Sequence, residues 1–232
     1  MLRSNAAEAQ QADPATAGSP EVAWRPGRFH GVGVVLTIVA FVAFAVVLWE
    51  EGLEHRVREK NLGQVEPGLW RSGQLSRFNV GPTLSRVAPD LIVSLSYDNP
   101  ENPHNMAEFE AAKTLGIRRE HVNLAGDGTG DPMEYVDALQ WMAEARDRGE
   151  TVLVHCWAGS ERTGGLVALY RVLFRGESPR EAVKQMRGYG HDVDEGVLID
   201  YLNEHVGAIA TALAERGVLG AVPDPLPHFP RP

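Results

Sequence analysis

"VLVHCWAGSERTGG", Val152 to Gly165, carries the only cysteine of the chain, and the reading of this stretch decides the fold. "TVLVH" (Thr151–His155) is a short apolar run, as expected of a strand buried on both faces. Cys156 follows at its carboxyl end, the place where open α/β sheets bind ligands. Residues 157–161 then make a tight loop, and Arg162 begins a helix, "RTGGLVALYRVLF". Strand, loop and helix in this order are the unit of an α/β sandwich built around a mostly parallel sheet.

The loop residue types suit an oxyanion. Backbone N–H groups of Trp157, Ala158, Gly159, Ser160 and Glu161, with a helix N-terminus behind them, form a cradle for a tetrahedral anion. Gly159 lets the backbone turn sharply, and Gly164 and Gly165 are expected to let the helix pack closely on the sheet. The same positive field favours a thiolate: cysteines at helix N-termini reach pKa values of roughly 3.5–7.5, against about 8.5 when free. Cys156 is therefore read as a nucleophile rather than an inert buried thiol. Arg162 offers a planar, two-pronged donor for two phosphate oxygens. Thr163 is placed to hydrogen-bond the sulfur as it leaves, and His155 to buttress the loop rather than to exchange protons.

Outward from the loop, "LIVSLS" (Leu91–Ser96) and "REHVNLA" (Arg119–Ala125) read as further strands. Between them, "PHNMAEFEAAKTLG" sets Met106, Phe109, Ala112 and Leu115 near helical spacing and stops at Gly116. Two helix starts share one pattern, Asp131-Pro132 with Glu134 and Ser178-Pro179 with Glu181. Leu198, Leu202, Val206, Ile209 and Leu213 stripe a last long helix. The organisation expected is a disordered tail over 1–30, an apolar helix over 31–49, a charged linker over 50–60, one α/β domain over 61–217, and a loose Pro-rich tail over 218–232.

"GVGVVLTIVAFVAFAVVLW", Gly31 to Trp49, has no charged residue. At ~1.5 Å per residue it spans roughly 28 Å, close to the hydrocarbon thickness of a bilayer. It is longer than a signal-peptide core, and it lacks the polar face of an ordinary core helix. A single membrane-spanning helix is expected, with Trp49 at one interface and Arg25, Arg28 and His30 before the other. Lys and Arg are nearly even on the two flanks, and the nearer pair favours an extracytoplasmic C-terminal domain. The formal net charge of −9 argues against a broad nucleic-acid surface, which needs a positive field. One cysteine excludes an internal disulfide and a cysteine-based zinc site. His191 with Asp192 and Asp194 reads as capping and solvated charge near a helix start, so neither metal nor cofactor is expected.

"HCWAGSERTG" resembles the signature loop of the cysteine-dependent protein tyrosine phosphatases, and its short form is similar to the dual-specificity branch. Upstream, "VEPGLWRSGQLS" (Val65–Ser76) is similar to the opening of atypical bacterial and fungal dual-specificity phosphatases. The two matches bracket about Gln64 to Gly190. The resemblance implies a metal-free, two-step reaction: Cys156 attacks phosphorus, an aspartic acid protonates the leaving oxygen, and water then hydrolyses the cysteinyl-phosphate. "LAGDGTGDPMEY" offers Asp127 and Asp131 for the acid. Asp131, before Pro132, suits a helix N-cap, so Asp127 is favoured. Arg71 matches the family's "RSGQ" arginine, which implies a tie between the first hairpin and the loop.

Three departures bear on substrate. Glu161 stands where some relatives that cleave polyphosphorylated inositols carry a basic residue, which disfavours a dense polyanion. Trp157 either walls the pocket or packs. An arginine that many relatives carry after the "LIVSLS" strand is missing. The expected function is a membrane-anchored phosphatase acting on phosphotyrosine, phosphoserine, phosphothreonine or small phosphate esters. The alternatives are a phosphate-binding pseudophosphatase scaffold, an inositol phosphate or phosphoinositide phosphatase, and a rhodanese-like sulfur carrier.

Overall fold

The computed structural model describes residues 29–48, 59–191 and 196–231, and the chain divides into two compact units, 1–46 and 47–232. The first unit contributes helix α1 (Phe29–Leu48). Its described side chains, over 33–46, are exposed on every side, Leu36, Ile38, Phe41 and Phe44 among them. No helix among the described residues is long and apolar enough to cross a membrane. The spanning helix expected over 31–49 is therefore not found among the described residues. Trp49, most of the N-terminal tail and most of the linker lie outside the described residues.

The second unit is an α/β fold on a five-stranded sheet: β1 (Gly63–Glu66), β2 (Leu69–Gly73), β3 (Leu91–Ser94), β4 (Arg118–His121) and β5 (Val152–Cys156). The spatial order is β1-β2-β5-β3-β4, with β1 antiparallel to β2 and every other pair parallel. β5 lies at the centre, and all five of its residues are buried. The helices are α2 (Val80–Val87), α3 (Pro103–Leu115), α4 (Pro132–Asp147), α5 (Glu161–Arg175), α6 (Pro179–Gly188) and α7 (Val197–Glu215).

Strand alternation divides the core. Leu153 packs with Ile92, Leu75, Val80 and Leu84 on the α2/α3 side. Val152, Val154 and Cys156 face the larger cluster that Leu139, Leu166, Leu202 and Phe229 share. Caps fix the helix starts: Asn102 accepts from His104 N–H, Asp131 from Met133 N–H and Ser178 from Glu181 N–H. The predicted strands over 91–96 and 119–125 end sooner, at Ser94 and His121. α5 begins one residue earlier than predicted, at Glu161.

α2 has no counterpart in the sequence reading, because Gly81-Pro82 looks like a break. Both lie in the first turn, where a missing N–H costs no intrahelical bond. The C-terminal tail is also not loose. Phe229 is fully buried, and its N–H and carbonyl both bond the Asn203 side chain, at 2.7 and 2.9 Å.

Candidate active site

Cys156, buried at the end of β5, accepts a hydrogen bond at Sγ from the Gly159 N–H (3.1 Å). The next three carbonyls are tied to other parts of the chain. Trp157 O accepts from Gln74 N–H (3.2 Å), Ala158 O from Asn61 Nδ2 (2.9 Å) and Gly159 O from Arg71 Nη2 (2.5 Å). Holding successive carbonyls outward turns the amide edge of the loop toward the sulfur. Gly159 has φ of +76°, and a Cβ there would stand 2.5 Å from Gly73 N and 2.8 Å from Ser72 O. Only glycine meets both demands. Ser160 holds the N-cap position of α5 without a capping bond from its side chain.

Arg162 follows in the first turn of α5. Its Nη1 is 3.5 Å from both Leu95 O and Leu124 O, and its buried Nε has no hydrogen-bond partner among the described residues. These long contacts aim the guanidinium without using up its donors. Thr163 is buried, and its Oγ1 likewise has no partner among the described residues.

Two supports hold the loop from behind. His155 Nε2 lies 3.0 Å from Glu108 Oε2 on α3, and Glu108 Oε1 accepts from Arg119 Nε (2.7 Å). Arg119 in turn clasps both oxygens of Asp98. Burial alone would raise the Glu108 carboxyl, but the charges and hydrogen bonds of His155 and Arg119 prevail and hold it at about 2. Arg71 is fully buried, bonds Gln185 Oε1 (3.0 Å) and stacks 4.0 Å over the Tyr189 ring. Burial lowers its pKa to about 10.

The two candidate acids differ in environment. Asp131 caps α4 through Met133 N–H (2.9 Å). Asp127 is exposed and accepts from both the N–H (3.0 Å) and the hydroxyl (2.8 Å) of Thr129. Those two bonds hold its carboxyl below the usual range, Arg162 adding a smaller pull. The loop carrying it is anchored by Tyr135 Oη on Gly128 O (2.5 Å) and Tyr201 Oη on Gly130 O (3.2 Å).

Gly165 is close-packed, but against Tyr135 and Leu198 from α4 and α7 rather than against the sheet; a Cβ on Gly164 would make only ordinary contacts. Glu161 contacts Nδ1 of buried His191. Asp192 and Asp194 lie outside the described residues, and no metal-binding group of three His, Cys, Asp or Glu occurs among those described. Trp157 is 56% exposed and, with Arg162, lines a cavity of about 300 Å³. Asn61, Glu108, Tyr135, Gln185 and Tyr189 all support the site and carried no sequence signal, because each acts through a distant partner.

A central parallel strand delivers a cysteine into a loop closed, after five intervening residues, by an arginine, and in this the chain is similar to the cysteine-dependent dual-specificity protein phosphatases. Over 148 residues it is 26% identical to the dual specificity protein phosphatase TpbA of Pseudomonas aeruginosa, a match covering 63% of this chain and 62% of that one. The chain thus matches less than two thirds of that relative's length. The crystal structure of P. aeruginosa TpbA superposes with a TM-score of 0.54 at 25% identity, over 67% of this chain and 91% of that one. The catalytic core of the PP-IP phosphatase SIW14 from S. cerevisiae shares the fold, with a TM-score of 0.54 at 19% identity over 70% and 96% of the two chains. No family model matches the chain.

Proposed function

We propose that the chain hydrolyses phosphate monoesters through a cysteinyl-phosphate. The observation that carries this reading is the phosphate-sized loop, with Gly159 N–H on Sγ and Arg162 poised at its rim. In the first step the Cys156 thiolate forms an S–P bond, the P–O bond to the leaving group breaks, and Asp127 gives that oxygen its proton. In the second, Asp127 takes a proton from water, the water oxygen bonds phosphorus, and Cys156 departs as thiolate, to which the Thr163 hydroxyl is suited to donate. TpbA in a cysteine-to-serine form is described in complex with pTyr, which supports an aryl phosphate as first probe.

The full chain assayed on a chromogenic aryl phosphate is expected to turn over in the presence of EDTA, and Cys156→Ser to abolish turnover. Retained activity in that variant overturns the mechanism. Phosphate binding without turnover in the wild type points instead to a pseudophosphatase scaffold.

A membrane tether through residues 31–49 is part of the same proposal, with the catalytic unit on the extracytoplasmic side. The exposed apolar side chains of α1 support it. Co-flotation of the full chain with lipid vesicles, resisting carbonate wash, is the expected result; recovery in the unbound fraction overturns the tether.

A further inference from the structure

The cavity beside the loop, about 300 Å³, is lined on one side by Trp157 and Arg162 and on the other by residues that follow β3 and begin α3. In register across the sheet, Ser72 on β2 and Ser94 on β3 flank His155 on β5, so the three side chains share one face. All are buried, and neither serine hydroxyl has a hydrogen-bond partner among the described residues. Ser94 and His155 open on the cavity, as does Ser96, whose Oγ is also buried without a described partner. Asn105, 4% exposed, and Gln74 form the sides, and Tyr97 (66% exposed) stands with Trp157 at the rim. Among the described residues no Lys, Asp or Glu lines the cavity, and Arg162, which belongs to the phosphoryl group, is its only permanent charge.

We propose that this cavity is a substrate subsite for an uncharged, polyhydroxylated ring carrying the phosphoryl group: a sugar or cyclitol monophosphate. The proposal rests on the phosphatase reading for the placement of the phosphoryl group at Arg162. Buried hydroxyls and amides lose free energy when left unpaired, so an aliphatic carrier is disfavoured. A second phosphate needs a second cation, and an amine needs a carboxylate; the lining supplies neither. Hydroxyl groups both donate and accept, which matches serine hydroxyls and side-chain amides at once. Aromatic rings at the rim give the C–H face of a sugar an apolar surface, the usual division of labour in a small-molecule site.

The test is calorimetric titration of the full chain as Cys156→Ser with glucose 6-phosphate, inorganic phosphate, fructose 1,6-bisphosphate and a phosphotyrosine peptide. Glucose 6-phosphate is expected to bind about tenfold more tightly than inorganic phosphate, and the bisphosphate no more tightly than the monophosphate. Asn105→Leu, and separately the surface change Tyr97→Ala, are expected to shrink that advantage to about twofold. Equal affinity for glucose 6-phosphate and phosphate overturns the subsite. So does an advantage that survives both variants, or a loss in those variants confined to the phosphopeptide. Aryl phosphate turnover by the wild type is measured alongside. Its absence with the hexose preference intact removes the hydrolytic reading and upholds the subsite, whereas turnover without the preference does the reverse.

Discussion

Asp127 folds back on its own loop, both Thr129 donors bound to its carboxylate. Those bonds favour the charged form, while a general acid has to enter the reaction protonated. The protonated fraction falls as pH rises through the depressed value, so the kcat/KM profile on aryl phosphate is expected to decline from an acidic optimum. Thr129→Val removes the hydroxyl donor and leaves the backbone one. It should raise the Asp127 pKa and move the basic limb of the profile toward higher pH; an unmoved limb removes Asp127 from the acid role. Cys156 and Arg162 were legible because their spacing is local. The clamps were not: Asn61 reaches Ala158 across 97 positions and Arg71 reaches Gln185 across 114, and no periodicity announces such pairs.

α3 presents Glu108 to the interior, where its carboxylate joins His155 and Arg119. Its folded pKa is depressed from the usual 4.5 to about 2. The stability it contributes is therefore present above the unfolded value and lost as pH falls from about 4.5 toward 2. Removing one partner of a buried ion pair costs about 3 kcal/mol, so urea denaturation of Glu108→Gln at pH 7 should show a loss of that order. The variant should also lack this part of the wild-type decline below pH 4.5; an equal decline in both proteins contradicts the assignment. The sequence showed α3 through its helical spacing and Gly116 stop, but not its inner face: Met106 and Leu115 are exposed, while Asn105, Glu108 and Ala112 are buried, and a buried glutamate in such a helix looks like a solvated one. β5 was legible for the opposite reason, since Val152, Leu153 and Val154 form an unbroken apolar run, buried throughout. α2 was hidden by a Gly-Pro pair that is harmless only at a helix start.

On the scale of the molecule, the C-terminal segment closes the larger core. Phe229 is held in that cluster by its own packing and by the Asn203 amide. Phe229→Ala should cost about 3–5 kcal/mol in chemical denaturation, as for other large buried aromatics. A loss below about 0.5 kcal/mol, the size of a surface substitution, contradicts the docked tail. A Pro-rich composition gave no hint of that anchor, because one phenylalanine among prolines has no period to read. The hairpin clamps carry a different consequence, one of timing. Asn61, Arg71 and Gln74 leave the ribosome long before the loop they hold, and contacts this distant close late and slowly. A refolding chain should thus regain its helical signal while still inactive. A protease cut between the hairpin and β3 would leave Cys156 and Arg162 in place with their anion cradle unset.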